Sequence, residues 1–144
     1  MPESVKLIFP TISPRIKSEE GEKFIWDSLR GKWLVLTPEE WVRQHTIGWL
    51  VAHKGVPALR ITQEYPVKIN GLNQRADIVV MNEKAKPHIL VECKAPDVIL
   101  DHEVVMQAIR YNSIVGARYI LLTNGLKLYG YEYADGKYRG LKEF

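Results

Sequence analysis

The chain has 144 residues, of which 46% are hydrophobic, and this suits one globular domain with a packed core. Its net charge of +3 is mildly basic and neither selects nor excludes a nucleic-acid partner. No run approaches 18 apolar residues, so no membrane span is expected, and the single cysteine, Cys93, cannot form an internal disulfide. Because the N-terminus also lacks the apolar stretch of a secretory signal, a cytoplasmic protein is expected.

The N-terminal part of the chain predicts an extended segment followed by a hairpin. Residues 1–21 contain three prolines among polar residues and are interpreted as a lead-in to a single domain over residues 22–144. Two short apolar runs at 24–27 and 33–36 flank a turn that contains Gly31, which indicates a β-hairpin. The four tryptophans of the chain are expected in the core.

A helix start follows directly. Thr37 can cap the helix, Pro38 suits its first position, and Glu40 stands three residues after the cap, where it can close a capping box. The helix is predicted to end near His53, because Gly55 follows as a helix stop.

The rest of the chain predicts strands around a second helix. The expected elements are strands at 61–69, 75–81, 88–94, 118–123 and 126–133, with a helix capped by Asp101 and ending near Val115. Pro66 predicts an open edge or a bulge in the first of these strands, and Asn124-Gly125 predicts a tight hairpin between the last two. The order of helix, three strands, helix and two strands predicts an α/β fold with a mixed central sheet flanked by helices.

Three charged residues in the predicted strands indicate a chemical site. Asp77 and Glu92 lie among apolar residues on neighbouring strands, where an unpaired charge costs several kcal/mol, roughly. Residues i and i+2 of a strand share a face, so Lys94 points the same way as Glu92. An ordinary salt bridge between Glu92 and Lys94 is the alternative, but the ordered strands and capped helix around them favour a functional site.

Two carboxylates and one ammonium suit a hard divalent cation such as Mg²⁺, for which Mn²⁺ can substitute. Asp77 and Glu92 would be protein ligands, and the backbone carbonyl of Cys93 is a further candidate. The cation would polarise a phosphate, while Lys94 would position water or stabilise developing charge.

The motifs together resemble the PD-(D/E)XK nuclease superfamily, and more narrowly the N-terminal nuclease domain of type I restriction enzyme R subunits. The resemblance covers roughly residues 22–133 and is carried by residues 36–44, 75–80, 91–96, 107–112 and 122–125. It implies a restriction-endonuclease-like fold, here with an N-terminal β-hairpin.

The resemblance also implies roles for individual residues. Asp77 and Glu92 match the metal ligands, Lys94 matches the catalytic lysine, and Gln107 and Tyr111 match a Q-x-x-x-Y motif that contacts nucleic acid. Gln107 is counted with the catalytic set. The chain departs from the first motif only in having alanine, not proline, before Asp77.

Four residues at this site keep alternative interpretations. Gln107 and Tyr111 share one helical face. Gln107 can hydrogen-bond a nucleic-acid backbone, orient Lys94 or only cap the apolar cluster, and Tyr111 can equally be a core residue. Glu40 matches an acidic residue that many members place on the first helix, where it would be an additional metal ligand, but it can equally serve only the capping box. Arg43 can pair with Glu40 or contact phosphate.

These observations predict a hydrolase, namely a Mg²⁺-dependent DNA endonuclease of the restriction-modification type. The chain contains no G-x-x-x-x-G-K-[ST] loop, so a motor or other restriction-complex subunits are expected as partners alongside DNA. The alternative is a non-cleaving module on a nuclease fold, which binds nucleic acid or recruits a partner protein.

Overall fold

A computed structural model describes residues 2–144, which form nine strands in two sheets, together with two α-helices. The elements are β1 (Ile16–Glu19), β2 (Glu22–Asp27), β3 (Lys32–Val35), α1 (Pro38–Ala52), β4 (Ile61–Ile69), β5 (Leu72–Met81), β6 (Pro87–Cys93), α2 (His102–Val115), β7 (Tyr119–Thr123), β8 (Leu128–Ala134) and β9 (Lys137–Leu141). Neither helix in this part of the chain has the length and apolar character needed to cross a lipid bilayer.

The larger sheet is mixed, as predicted. Its strand order is β4-β5-β6-β7-β8-β9, and β6 and β7 are its one parallel pair in the described chain. A parallel pair needs a crossover connection, and α2 provides it between β6 and β7. Strand β4 forms one edge, which explains how Pro66 is accommodated within it.

The sequence prediction missed the last strand, and it made the loop between β7 and β8 too short. Strand β9 extends the sheet beyond β8, but its low apolar content gave no strand signal. The expected tight hairpin at Asn124-Gly125 is wrong, because the β7–β8 pairing ends at Thr123 opposite Leu128 and leaves a four-residue loop. The Asn124 side chain organises this loop by accepting hydrogen bonds from the N–H groups of residues 126 and 127, both at 2.9 Å.

Two hydrophobic clusters cover the two faces of the larger sheet. Helix α1 packs with Ile78, Val91 and Cys93 on one face, and α2 packs with Val79 and Leu90 on the other. Because β6 is buried on both faces, its sequence is a nearly continuous run of apolar residues.

The predicted N-terminal hairpin is present as β2 and β3, and it has a third strand. Strand β1 pairs with β2 inside the segment expected to be an extended lead-in. Leu7 and Phe9, from the same segment, are buried in the domain. Part of the segment expected as a lead-in therefore joins the small sheet, because a segment with little apolar periodicity can still pair through its backbone.

Both helix caps form as the sequence indicates. The Thr37 hydroxyl accepts a hydrogen bond from the Glu40 N–H at 3.0 Å, and the Asp101 carboxylate accepts one from the Val104 N–H at 3.1 Å. At the end of α2, Gly116 adopts a left-handed backbone with φ of 76°.

Candidate active site

Asp77 and Glu92 lie opposite each other where β5 and β6 stop pairing. The register pairs Ile78 with Val91, so Asp77 and Glu92 are the next residues towards the open end. Their carboxylates replace the missing ladder bonds: Asp77 Oδ2 accepts from the Cys93 N–H at 2.7 Å, and Glu92 Oε1 accepts from the Asp77 N–H at 3.1 Å. We call these two residues the carboxylate pair.

The neighbouring edge strand is irregular at the same level. Glu64 of β4 lies across from Asp77 and has a left-handed backbone with φ of 53°, which is uncommon for a non-glycine residue. In β5, Ala76 belongs to the cluster under α2, whereas Ile78 belongs to the cluster under α1. The strand therefore changes face across Asp77, which a strict alternation of side chains does not predict.

Burial and mutual repulsion define the electrostatics of the carboxylate pair. The Glu92 side chain is almost fully buried, and burial together with the negative charge of Asp77 raises the pKa of Glu92 to about 9. Burial also raises the pKa of Asp77, although the Cys93 N–H and the positive charge of Arg43 oppose that rise. Two carboxyls this close favour holding a proton between them or binding a cation.

Lys94 follows β6 directly and, with Arg43, contributes positive charge near the carboxylate pair. Its N–H donates to the Thr123 carbonyl at 2.9 Å, which holds this part of the chain against β7. Its ammonium forms no ion pair or hydrogen bond within residues 2–144, and its charge lowers the pKa of both members of the carboxylate pair. The ammonium is thus available to a ligand.

Glu40 and Arg43 of α1 form a buried ion pair close to Asp77. Arg43 donates to the Glu40 carboxylate through Nε at 3.0 Å and also through Nη2, and Gln44 adds a hydrogen bond at 2.9 Å. The expected capping box is therefore incomplete: its first half forms with Thr37, but the Glu40 carboxylate turns to Arg43. Pairing with Glu40, one of the two interpretations of Arg43, is confirmed.

Glu39, which the sequence analysis did not single out, faces a cleft next to Asp77. Partial burial and the negative charge of Asp77 raise the pKa of Glu39, whereas the charge of Lys94 lowers it. Glu39, Arg43, Glu64 and Asp77 together line a cleft of about 470 Å³. The position of Glu39 in the first turn of α1 is the one sequence signal that could have pointed to it.

The sequence analysis also missed a network of charged residues that joins the hairpin to strand β4. Asp27, at the end of β2, is fully buried and accepts hydrogen bonds from Arg30 Nε at 2.6 Å and Gln63 Nε2 at 3.2 Å. Arg30 also binds the Glu64 carboxylate, which Arg75 approaches at 3.4 Å. The hairpin turn is therefore tied to the edge strand next to Asp77.

Gln107 and Tyr111 lie in a different hydrogen-bonded chain. Gln107 Nε2 donates to the Tyr111 hydroxyl at 3.1 Å, and that hydroxyl contacts Gln74 Oε1 at 3.5 Å. Tyr111, on α2, is buried in the cluster that also contains Ala76 and Val79 of β5, as its interpretation as a core residue requires. Neither side chain hydrogen-bonds to the carboxylate pair or to Lys94, so their nucleic-acid contacts remain predictions.

The carboxylate pair fits a hard cation in its donor chemistry. Within residues 2–144, no group of three or more His, Cys, Asp or Glu side chains is arranged to hold a metal ion. Mg²⁺ is nevertheless commonly held by one or two carboxylates, with water and substrate oxygens completing its shell. Asp77 and Glu92 each keep one oxygen that the backbone of the partner strand does not engage. The Cys93 side chain points away into the core, where its Sγ lies 3.8 Å from Thr46 Oγ1.

A mixed sheet that carries opposed carboxylates and a lysine at one end is the arrangement that the resemblance to nucleases implies. Residues 38–144 match the family model for the N terminus of the type I restriction enzyme R protein. This match covers more than half of the chain, and the protein belongs to that family. The resemblance and the fold predicted from the sequence are confirmed.

Solved structures that are similar to this chain include two restriction-enzyme proteins and one protein assigned as a nuclease. A fragment assigned as an HsdR subunit of a type I restriction enzyme from Vibrio vulnificus is 24% identical over 58% of this chain and 18% of that chain, with a TM-score of 0.46. The type IIG restriction endonuclease BpuSI is 19% identical over 67% of this chain and 11% of its own, with a TM-score of 0.49. A DUF820 protein from Anabaena variabilis, assigned as a nuclease, is 14% identical over 93% of this chain and 80% of its own, with a TM-score of 0.47. No curated protein matches the chain.

Proposed function

We propose that this domain hydrolyses DNA phosphodiester bonds with the help of a divalent cation, Mg²⁺ or Mn²⁺. The observation that carries the proposal is the carboxylate pair, in which the buried Glu92 and the half-buried Asp77 face each other and, within residues 2–144, no arginine or lysine is bonded to either. Such an arrangement is costly in a protein that merely needs a stable sheet. Membership of a restriction-enzyme family supports the same conclusion.

Asp77 and Glu92 would hold the cation, with the Cys93 carbonyl and Glu40 as further candidates. The bound cation would polarise the phosphate and lower the pKa of a water molecule. Because Glu40 is already bonded to Arg43 and Gln44, it would have to exchange those hydrogen bonds to become a ligand. Asp77 and Glu92 are therefore the main ligands in this proposal.

Lys94 would act on the phosphate group itself. Its ammonium is unpaired within the described chain and lies close enough to shift the pKa of the carboxylate pair. A fixed positive charge at this place favours the transition state, in which negative charge on the phosphate oxygens increases. Arg43, Gln107 and Tyr111 would contact the nucleic-acid backbone around the site.

The partners proposed for this domain are DNA and other restriction-complex subunits. The chain spans only 18% of the HsdR-subunit chain that it resembles, so a motor that feeds DNA to the site would lie outside the similar region. In this proposal the domain supplies the cleavage chemistry, and the partner subunits determine when DNA reaches the site.

Cleavage of supercoiled, linear and single-stranded DNA in Mg²⁺, in Mn²⁺ and in chelator tests this function. The wild type should cut only with metal, and Asp77→Asn should lose both cleavage and calorimetric binding of Mn²⁺. Asp135→Asn, the same change at an exposed position in the turn between β8 and β9, is a matched control that should retain both. DNA binding without metal binding or cleavage would instead support the non-cleaving module.

A further inference from the structure

The small sheet presents aromatic side chains on the face turned away from the core. Ile25 and Leu34 pack into the core from β2 and β3, so their strand neighbours point to the other side. Trp26 lies opposite Trp33 in the register, and their rings meet edge to face with centroids 5.2 Å apart. Phe24 lies on the same side, and we call Phe24, Trp26 and Trp33 the aromatic face.

Two cations lie over the rings of the aromatic face. The Arg15 guanidinium carbon is 5.0 Å from the Trp26 ring centroid and 5.4 Å from that of Trp33. The Lys17 ammonium is 4.7 Å from the Trp33 centroid and 5.7 Å from that of Phe24. Each cation thus contacts two rings, an arrangement that is attractive and leaves the cations near solvent.

Charge is distributed unequally along this face. Arg15 is exposed and makes no salt bridge within the described chain, whereas Lys17 pairs with the exposed Glu19 at 2.9 Å. An exposed pair of this kind contributes little and exchanges partners readily. Glu19 and Glu22 pair at the hairpin tip, so the face is acidic at the tip and basic beside the tryptophans.

We propose that the aromatic face, with Arg15 and Lys17, binds single-stranded nucleic acid. Bases would stack on the rings or on the Arg15 guanidinium, and phosphates would pair with the two cations at the basic end. Aromatic rings interleaved with cations match a strand that alternates flat bases with phosphates. This inference extends the proposed nuclease function to a substrate class, because it assigns a strand-binding surface outside the cleft.

The aromatic face is connected to the candidate active site through the hairpin turn. Strand β2, which carries Phe24 and Trp26, ends at the buried Asp27, and Asp27 holds Arg30 at 2.6 Å. Arg30 in turn binds Glu64, the residue across from Asp77. A nucleic-acid strand held on this face would therefore be anchored to the element that borders the cleft.

Fluorescence anisotropy with labelled dT12, measured in chelator so that no cleavage occurs, tests this surface. Trp33→Ala and Arg15→Glu should each weaken binding by about fivefold to a hundredfold, the range expected for the loss of one stacked base. Trp33→Phe keeps a stacking ring and should retain most of the affinity, which separates stacking from misfolding. Tyr129→Ala and Lys68→Glu, at exposed positions elsewhere, are the aromatic and charge controls.

The outcomes separate this surface from the proposed function. Wild-type dT12 affinity in folded Trp33→Ala and Arg15→Glu overturns the surface, even if the wild type cuts DNA with metal. A change of oligomeric state in Trp33→Ala with unchanged dT12 binding also overturns it, because the face would then be a protein interface. Weakened dT12 binding in both variants, together with a wild type that never cleaves, supports the surface and rejects only the proposed function.

Discussion

Replacement of Glu92 by glutamine should stabilise the metal-free protein. The glutamine keeps the shape of the side chain, and its amide oxygen can still accept the hydrogen bond from the Asp77 N–H, which is 3.1 Å long in the wild type. What it removes is the charge that burial and Asp77 disfavour. In the wild type these two causes raise the pKa of Glu92 from 4.5 to about 9.

The sign and size of the effect follow from proton linkage. Because folded Glu92 holds its proton up to about pH 9 while the unfolded chain releases it near 4.5, the free energy of unfolding falls as pH rises through this window. At about 1.4 kcal/mol per pH unit, the cost to the wild type is below 1 kcal/mol at pH 5 and about 3 kcal/mol at pH 7. Glu92→Gln does not titrate and avoids this cost.

Thermal and urea unfolding in chelator measure the prediction. The melting temperature of Glu92→Gln should exceed that of the wild type by about 5–10 °C at pH 7, and by less at pH 5. Glu103→Gln, at an exposed position of α2, is the matched control and should show no such pH-dependent gain. The reasoning is wrong if the gain of Glu92→Gln at pH 8 is no greater than its gain at pH 5. Added Mg²⁺ should raise the melting temperature of the wild type but not of the variant.

Two further substitutions test the packing around the site. Arg43→Ala should lower the free energy of unfolding by about 3 kcal/mol or more in urea titrations, because it leaves Glu40 buried without its cation; an unchanged midpoint would contradict the role of this pair. Gly125→Ala should destabilise more than Gly136→Ala, since both have positive φ but only at Gly125 would a Cβ meet another side chain, Leu7, at 2.6 Å. Equal melting temperatures for the two alanine variants would show that Leu7 gives way freely.

Local signals were sufficient to predict the strands and helices that carry the site. The apolar runs around Asp77 and Glu92 are long enough to indicate buried strands, and Thr37 and Gly116 mark helix ends by their capping chemistry. The association of Asp77, Glu92 and Lys94 followed from the two-residue period of a strand and from the order of motifs. The observed strand order and the helical crossover between β6 and β7 agree with the mixed sheet predicted from the order of the elements.

Features that depend on contacts distant in sequence were not predictable in the same way. The left-handed backbone at Glu64 and the change of face at Asp77 lie where β4 faces β5. Pro66 indicates an irregular strand, but nothing in the sequence places the irregularity at these two residues. Glu39 and Glu40 are adjacent acids, and only the packing of α1 decides which one bonds to Arg43. The tryptophans of the small sheet were expected in the core, but the prediction was wrong for Trp26 and Trp33, since both are only half-buried and Arg15 lies over both rings.

Single-turnover cleavage of plasmid DNA by the wild type and by Lys94→Ala is the most direct test of the candidate active site. The wild type should convert supercoiled plasmid to nicked or linear forms only when Mg²⁺ or Mn²⁺ is present. Lys94→Ala should be slower by about a hundredfold or more, the usual cost of removing a charge-stabilising donor, while its melting temperature stays close to that of the wild type. Equal cleavage rates for the two proteins, or cleavage by the wild type in chelator, would contradict the assignment of Asp77, Glu92 and Lys94 as a metal-dependent site.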